Sequence, residues 1–225
     1  MELKINKNTQ VHKSIFSAVL ITASAFASAQ TSDKILSRLS YQAKDYENIE
    51  ASYNATLVDL KNDYSEDLSG HILIGDNGFN LDLGDFVIIS DGTTVWSYDV
   101  EANECYIDDA ELLIEEGMDP SKIFTIWEDD FNTELKGEVD INGKTCTQIN
   151  LYPINSDDKS FHTIKLFVHD NGKTLDIVKT LVKGREGSDT EYIVKEFKTG
   201  IVIPDGSFQF NESNYPEVEI IDNRF

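Results

Sequence analysis

The side chains that most often carry catalysis or bind metal ions are few in this sequence and poorly spaced for either task. It contains four histidines in 225 residues. His162 and His169 lie seven positions apart in a predicted strand, so their side chains point to opposite faces. His71 stands alone on another predicted strand, and no HExxH motif or cluster of Cys and His marks a transition-metal site. We therefore expect no metal site, no cofactor and no catalytic residues.

Acidic residues form short clusters at 108–109, 128–130 and 157–158, and none has the pattern of a calcium loop. An EF-hand needs alternating ligands around a central glycine, which these clusters lack, so we interpret them as solvated surface. Ser90-Asp91-Gly92 is predicted to be a hairpin turn, because the GxSxG signature of a nucleophile elbow is absent. A glycosidase-type carboxylate pair formed by the fold stays open as an alternative. No spacing favours it, and we expect the protein not to be an enzyme.

Cys105 and Cys146 are the only two cysteines. In an oxidising compartment an even count permits a disulfide. Closing a loop of about 40 residues would contribute roughly 4 kcal/mol of stability. Both cysteines lie on predicted strands, and pairing depends on the strand register, so a disulfide and two free thiols are both compatible with the sequence.

Large apolar side chains are the stronger indication of function. On pattern alone they are typical of a packed core, but a cavity for an apolar ligand uses the same residue types, so the pattern cannot separate the two interpretations. The candidates for lining a cavity lie on several predicted strands and on an inserted helical segment: Phe79, Leu81, Leu83, Trp96, Tyr98, Ile123, Phe124, Trp127 and Phe167.

The first 29 residues have the three parts of a cleavable secretion signal. Lys4, Lys7 and Lys13 form a positive stub, residues 14–26 are apolar or small, and Ala27-Ser28-Ala29 supplies small residues before the cleavage point. Gln30 follows, where a bacterial lipoprotein would carry the cysteine that receives its lipid. The sequence therefore predicts a signal peptide at 1–29, a single domain at 30–225, and a soluble periplasmic or secreted protein without a lipid anchor.

The formal net charge is −22, and it becomes −24 without residues 1–29, which carry three Lys and one Glu. A surface this acidic repels phosphate backbones and anionic headgroups, so nucleic-acid binding is excluded. The same charge favours solubility, which is its simplest interpretation.

The periodicity predicts a mainly β protein with helices. Apolar residues at helical spacing predict a helix over 33–45, and strict alternation predicts a strand from Ile49. Asn142-Gly143 and Asn171-Gly172 are strong hairpin turns. Two short helices are predicted within 108–116 and 120–130, followed by strands at about 133–141, 145–152, 161–169, 174–184 and 190–199. An antiparallel meander of this length must curl, split or close to bury its apolar face.

The segment from Ile88 to Asp99, with an apolar pair, Ser90-Asp91-Gly92 and then Trp96-Ser97-Tyr98-Asp99, resembles the most recognisable stretch of the periplasmic outer-membrane lipoprotein carrier family, LolA. The surrounding order of elements and the closing Phe208-Gln209-Phe210 are also similar. The resemblance implies an unclosed β-barrel, formed by a curled antiparallel sheet whose concave face is lidded by helices.

That resemblance also implies a function. Such a chaperone binds the acyl chains of lipoproteins from an inner-membrane ABC-type release complex and carries them, as a monomer, towards an outer-membrane acceptor. An alternative of the same fold is a sensing or adaptor module in envelope regulation. Many family members carry Arg-Pro before a Phe-Arg-Trp-like strand, and that Arg helps to hold the lid shut. The matching stretch here, Ile74 to Leu81, has neither residue, so we expect a different closing contact.

Overall fold

A computed structural model describes residues 32–76, 78–111, 125–128, 131–155 and 159–224. The predicted signal peptide, and most of the segment predicted to form the two short helices, lie outside the described residues. A helix, α1, spans residues 32–44. The strands are β1 Ile49–Asp59, β2 Tyr64–Gly75, β3 Gly78–Asp82, β4 Phe86–Ser90, β5 Thr94–Asp99, β6 Glu104–Asp109, β7 Phe131–Ile141, β8 Lys144–Pro153, β9 Phe161–Asp170, β10 Leu175–Gly184, β11 Ser188–Thr199 and β12 Glu219–Asp222.

These strands form one sheet in the order β12-β6-β5-β4-β3-β2-β1-β11-β10-β9-β8-β7. Two meanders, β1 to β6 and β7 to β11, are joined by the antiparallel pairing of β1 with β11. The order ends at β12 and β7, which do not pair with each other, so the barrel is unclosed. The predicted fold class is confirmed. The short β12 differs from the meander, because it pairs in parallel with β6.

Helix α1 forms because its apolar residues recur with the period of a helix. Leu36 and Leu39 are buried, whereas the intervening Ser37 and Arg38 are exposed. The predicted helix at 33–45 is confirmed within one residue. Its buried stripe packs on β8, β9 and β10, and we call this side of the sheet the helix face and the opposite side the outer face.

Hairpin turns set the register of both meanders. Asn142 and Gly143 both have positive φ, as a two-residue turn joining twisted strands requires, and they connect β7 to β8. Ser90-Asp91-Gly92 connects β4 to β5, where the Asp91 carboxylate accepts hydrogen bonds from the backbone amides of Thr93 and Thr94. The predicted hairpin at this motif is confirmed.

The inserted region departs from the prediction in part, since Ala110 and Glu111 are helical as predicted whereas the described residues on either side are not. Asp108 and Asp109, expected at the start of a helix, end strand β6 and pair with β5. Residues Ile126–Glu128, expected inside a helix, form a single 3₁₀ turn with Trp127 buried. Pairing with β5 gives the backbone groups of Asp108 and Asp109 hydrogen-bond partners. The first backbone N–H groups of a helix have no such partners within the helix.

A C-terminal segment, residues 201–218, covers the outer face of β2 to β6, and we call it the tail. Asn80 donates a hydrogen bond to the Ser207 carbonyl oxygen, 3.2 Å away. A Cβ atom on Gly75 or Gly78 would lie 2.8–3.0 Å from the Phe208 ring, so the two glycines form the seat on which that ring packs.

Candidate functional site

The helix face of β7 to β10 carries an apolar cluster that lies under α1, and we call it the helix-face core. Ile149 and Leu151 of β8 are fully buried. Their neighbours on β9 are Ile164, Leu166 and Val168, each at most 5% exposed. Cluster members from the cover and from β10 are Leu36, Leu39, Trp127 and Leu175. The core is therefore formed jointly by the sheet and by the elements that cover it.

Polar contacts at its rim hold α1 over this core. On the β9–β10 side, the Gln42 side-chain amide donates to the Leu175 carbonyl oxygen at 2.9 Å and accepts from the Leu175 amide at 2.9 Å. Arg38 forms an exposed ion pair with Asp170 at 3.0 Å. The Gly172 backbone amide and Arg38 lower the pKa of the Asp170 carboxyl, because both favour its charged form.

On the opposite side of α1, four residues form a hydrogen-bonded chain that we call the latch. The Trp127 indole Nε1–H donates to the Ser40 hydroxyl oxygen at 2.8 Å. A hydrogen bond from Ser40 and the charge of Lys44 lower the pKa of Glu128. Lys44 Nζ lies 3.1 Å from Glu128 Oε1, with the Lys44 side chain 66% exposed and the Glu128 side chain 38% exposed. The latch therefore joins a buried tryptophan to an exposed ion pair.

A groove of about 450 Å³ lies beside the latch, and we call it the Trp127 groove. Its apolar lining comes from Leu36, Trp127 and Phe131, all of which also belong to or pack on the helix-face core. Polar and amphipathic side chains complete the lining: Asp33, Ser37, Ser40, Tyr41, Lys44, Glu128 and Thr133. A single layer of side chains therefore separates the groove from the core.

The helix face continues beyond α1 onto the first meander. Phe79 packs there with Ile49, Ala51, Ile72 and Ile74, all at most 9% exposed. Leu81 and Tyr46 pack against this second cluster. Since Tyr46 also lies within hydrogen-bond distance of Gln42 of α1, the two clusters share one face of the sheet.

Trp96 and Tyr98 lie on the outer face, opposite Phe79 and Leu81. Trp96 pairs with Ile89, which in turn pairs with Asn80 rather than with Phe79. The Tyr98 ring packs on Tyr215 of the tail at 4.4 Å between centroids, and its hydroxyl donates to Asn103. The structure therefore does not bring these two aromatics together with the helix-face residues.

The remaining candidates are also divided. Trp127 lies in the helix-face core, whereas Phe167 lies on the outer face with Cys146 and Val178, under the Lys179 ammonium group. Leu83 is half-buried in the turn after β3, where its amide donates to the Phe86 carbonyl oxygen. Ile123 and Phe124 lie outside the described residues.

Both cysteines are buried free thiols in this structure. They lie on β6 and β8, which are near opposite ends of the strand order. Burial and the nearby Glu212 carboxylate raise the pKa of Cys105 to about 11, and burial raises the pKa of Cys146. The disulfide that the sequence permitted is not formed in this structure, because the strand order separates β6 from β8.

The sequence did not indicate the rim contacts. Ser40, Gln42 and Lys44 of α1 meet partners 84 to 133 positions away in the chain. The helical period places Ser40 on the buried side of α1. Because a buried hydroxyl group needs a hydrogen-bond partner, this position was the one local sign of a contact there. No local pattern identifies that partner.

Two further observations concern the described residues only. No group of three or more His, Cys, Asp and Glu side chains there could hold a metal ion. None of the helices in that part of the chain is both long enough and apolar enough to cross a membrane.

The fold and this site define a half-barrel protein, an unclosed antiparallel β-barrel with a helix over an apolar face. The chain belongs to the family of the outer membrane lipoprotein carrier protein LolA, whose sequence model matches residues 79–211. No curated protein sequence matches the chain. The resemblance seen in the sequence is thereby confirmed.

One solved structure has a similar fold, and two others are less similar. An uncharacterised conserved protein from Thermus thermophilus is 12% identical, with a TM-score of 0.56 over 86% of this chain and 99% of that one. The lipoprotein LppX of Mycobacterium tuberculosis has a TM-score of 0.45 at 12% identity, covering 77% of this chain and 99% of its own. A LolA superfamily protein from Nitrosomonas europaea has a TM-score of 0.41 at 10% identity, covering 81% and 98%.

Proposed function

We propose that this protein is a non-catalytic periplasmic chaperone that binds the acyl chains of lipoproteins on its helix face and carries them from the inner membrane towards the outer membrane. One observation supports this most directly. Among the described residues, the apolar core of β7 to β10 lies under a helix with polar contacts at its edges, and such a core can bind an apolar ligand in place of the buried face of the helix.

The energetics of transport suit this arrangement. Each methylene group removed from water contributes about 0.8 kcal/mol, so a long acyl chain left in water is unfavourable by on the order of 10 kcal/mol. An apolar face removes that cost without a covalent step. Release then requires an acceptor that binds the chain more favourably.

We propose an inner-membrane ABC-type release complex as the donor and an outer-membrane protein as the acceptor. The formal net charge of −24 without residues 1–29 supports a carrier in transit, because an acidic surface is repelled by anionic headgroups. The protein would act as a monomer in the periplasm after removal of residues 1–29.

The test uses residues 30–225 and two readouts. A fluorescent fatty-acid probe should be displaced by a triacylated lipoprotein peptide, and lipoprotein should co-purify with the protein from the periplasm. Absence of both from a folded sample would refute the proposal. Donor and acceptor vesicles then separate carriage from sensing: a carrier raises the rate of lipopeptide transfer, whereas a protein that binds but does not transfer is an adaptor.

A further inference from the structure

Strand β2 is longer than its neighbour β3, and part of it has only one partner strand. β1 pairs with residues 64–74, whereas β3 pairs only with residues 71–75. No other described strand pairs with residues 64–70, and no backbone hydrogen bond joins them to a described turn or loop. In an antiparallel strand, every second residue directs its N–H and C=O away from a given partner. Residues 64–70 therefore present a row of unpaired backbone groups, which we call the β2 free edge.

The edge at the end of the sheet, β7, is protected in ways that the β2 free edge is not. The register between β7 and β8 shifts between Leu135 and Gly137, and Gly137 has a φ of 110°. Such a bulge twists an edge away from a flat partner strand, and Lys136 beside it adds the kind of charge that natural edges use for protection. β1 and β2 pair in one unbroken register, and residues 64–70 contain no lysine and no proline. The β2 free edge is therefore the better template for a further strand.

The two faces of the β2 free edge carry different side chains. Ile72 lies on the helix face, so alternation places Leu68 on that face and Asp67 on the outer face. Leu68 is half-buried, and the Asp67 carboxylate accepts a hydrogen bond from the Thr56 hydroxyl. The nearest base in the sequence, Lys61, is directed to a partner on another turn. A strand added here would therefore place one set of side chains beside an apolar residue and the other beside a carboxylate.

The charge of the first meander determines the charge of a suitable partner. Residues 49–109 contain 14 acidic residues and one base, Lys61, which gives a formal charge of −13. Residues 131–199 contain 11 acidic and 10 basic residues, which gives −1. The β2 free edge belongs to the acidic half and itself carries Glu66 and Asp67. It therefore repels a second copy of the same edge and attracts a basic chain.

We propose that the β2 free edge binds an extended basic segment of a partner protein, which adds to the sheet as an antiparallel strand beside residues 64–70. In this mode of recognition, backbone hydrogen bonds supply affinity and alternate side chains supply specificity. The segment that fits has basic residues alternating with apolar ones, so that the bases face Asp67 and the apolar residues lie beside Leu68. Binding at this edge does not involve the helix-face core, so this proposal and the proposed function can fail independently.

The first experiment locates the added strand by amide hydrogen exchange. It uses residues 30–225 and a capped peptide of about nine residues that alternates lysine with valine. The peptide should slow exchange at every second residue of 64–70 by about tenfold or more, because those residues direct their N–H groups to the new strand. Exchange in 131–141 should stay unchanged. Absence of binding, protection of β7 in place of β2, or binding without protection of residues 64–70 would each overturn the proposal.

Two control peptides separate strand addition from attraction by charge. One carries methyl groups on the backbone nitrogens of its lysines, and the other carries them on the backbone nitrogens of its valines. The charge and the side chains are the same in both, but only one set of N–H groups faces β2 in an added strand. One peptide should therefore bind at least about tenfold more weakly than the other. Equal binding by both would show that charge alone holds the peptide, and strand addition would be refuted.

Asp67→Lys and Glu138→Lys form a matched pair of protein variants. Each replaces an exposed carboxylate on an edge strand and raises the net charge by the same amount. Asp67→Lys should weaken binding of the lysine–valine peptide about fivefold or more, because an attraction between neighbouring strands becomes a repulsion. Glu138→Lys, on β7, should change binding less than about twofold. Equal weakening by both variants would show that the peptide responds only to net charge, and the β2 free edge would not be its site.

Discussion

The two meanders of this sheet are covered on opposite faces and by different chemistry. Helix α1 covers the helix face of β8 to β10 through an apolar stripe with polar contacts at its rim. The tail covers the outer face of β2 to β6 through aromatic packing, in which Phe210 stacks on Tyr215 at 4.6 Å and Tyr215 packs on Tyr98. One cover is therefore an amphipathic helix with buried leucines and polar contacts at its edges, whereas the other is an irregular segment held mainly by stacked aromatic rings.

The largest expected effect is a difference in probe binding between variants of the two tryptophans, which lie on opposite faces of the sheet. Trp127→Ala should weaken probe binding at least tenfold and reduce the free energy of unfolding by about 3 kcal/mol, because a buried indole is lost from the groove wall. Trp96→Ala, the matched control, should leave binding within twofold. Probe titration and urea unfolding of both variants measure the two quantities. Equal loss of binding in both would mean that the ligand also contacts the outer face.

A medium effect is expected where the tail docks. In Gly78→Ala the new Cβ would lie 2.2 Å from the Ser90 carbonyl oxygen, which belongs to the backbone of β4 and cannot yield easily. We expect the free energy of unfolding to fall by about 2 kcal/mol, with probe binding unchanged. In Gly75→Ala the new Cβ would contact only side chains, so the free energy of unfolding should fall by a smaller amount. If Gly78→Ala weakened probe binding in a folded protein, the two covers would not be independent.

The smallest effect concerns pH and the latch. The Ser40 hydroxyl and the Lys44 ammonium lower the pKa of Glu128 because both favour its charged form. The stabilisation of the latch by the Glu128 carboxylate is therefore fully present above the ordinary glutamate pKa of about 4.3 and is lost as the pH falls through the lowered pKa. Asp33 and Lys44 are the other charged groups that line the groove. Stopped-flow association of the probe should accelerate by up to about threefold in that acidic range.

Glu128→Gln is the control for this pH effect. It should associate faster than wild type at neutral pH and should lose the acceleration in acid. An identical pH profile in wild type and Glu128→Gln would show that another group controls opening.

Much of the fold followed from local pattern. Alternation predicted the strands, Asn142-Gly143 predicted its hairpin, and the spacing of Leu36 and Leu39 predicted α1. The candidate site could be predicted only in part. Alternation shows that Trp96 and Tyr98 share one face of the sheet. Whether Phe79 and Leu81 of β3 lie on that same face depends on the register that the turn between β3 and β4 sets. Here Ile88 pairs with Leu81, which places Trp96 on the opposite side.

The latch could not be predicted for a different reason. Its bonds depend on side chains that the sheet brings together over long sequence separations, and a single serine or lysine on a helix has no distinctive spacing. The Trp127–Ser40 hydrogen bond, for example, joins residues 87 positions apart.

The pairing of β1 with β11 has a consequence for how the chain folds. Ala51 pairs with Phe197, so the two meanders join through residues almost 150 positions apart. Contacts this distant in sequence slow folding, because a long loop must close before they form. Until β11 is available, β1 lacks one of its two neighbouring strands. We therefore expect a slow final folding step in which the barrel assembles from two preformed meanders, and a partly folded state that needs protection from aggregation.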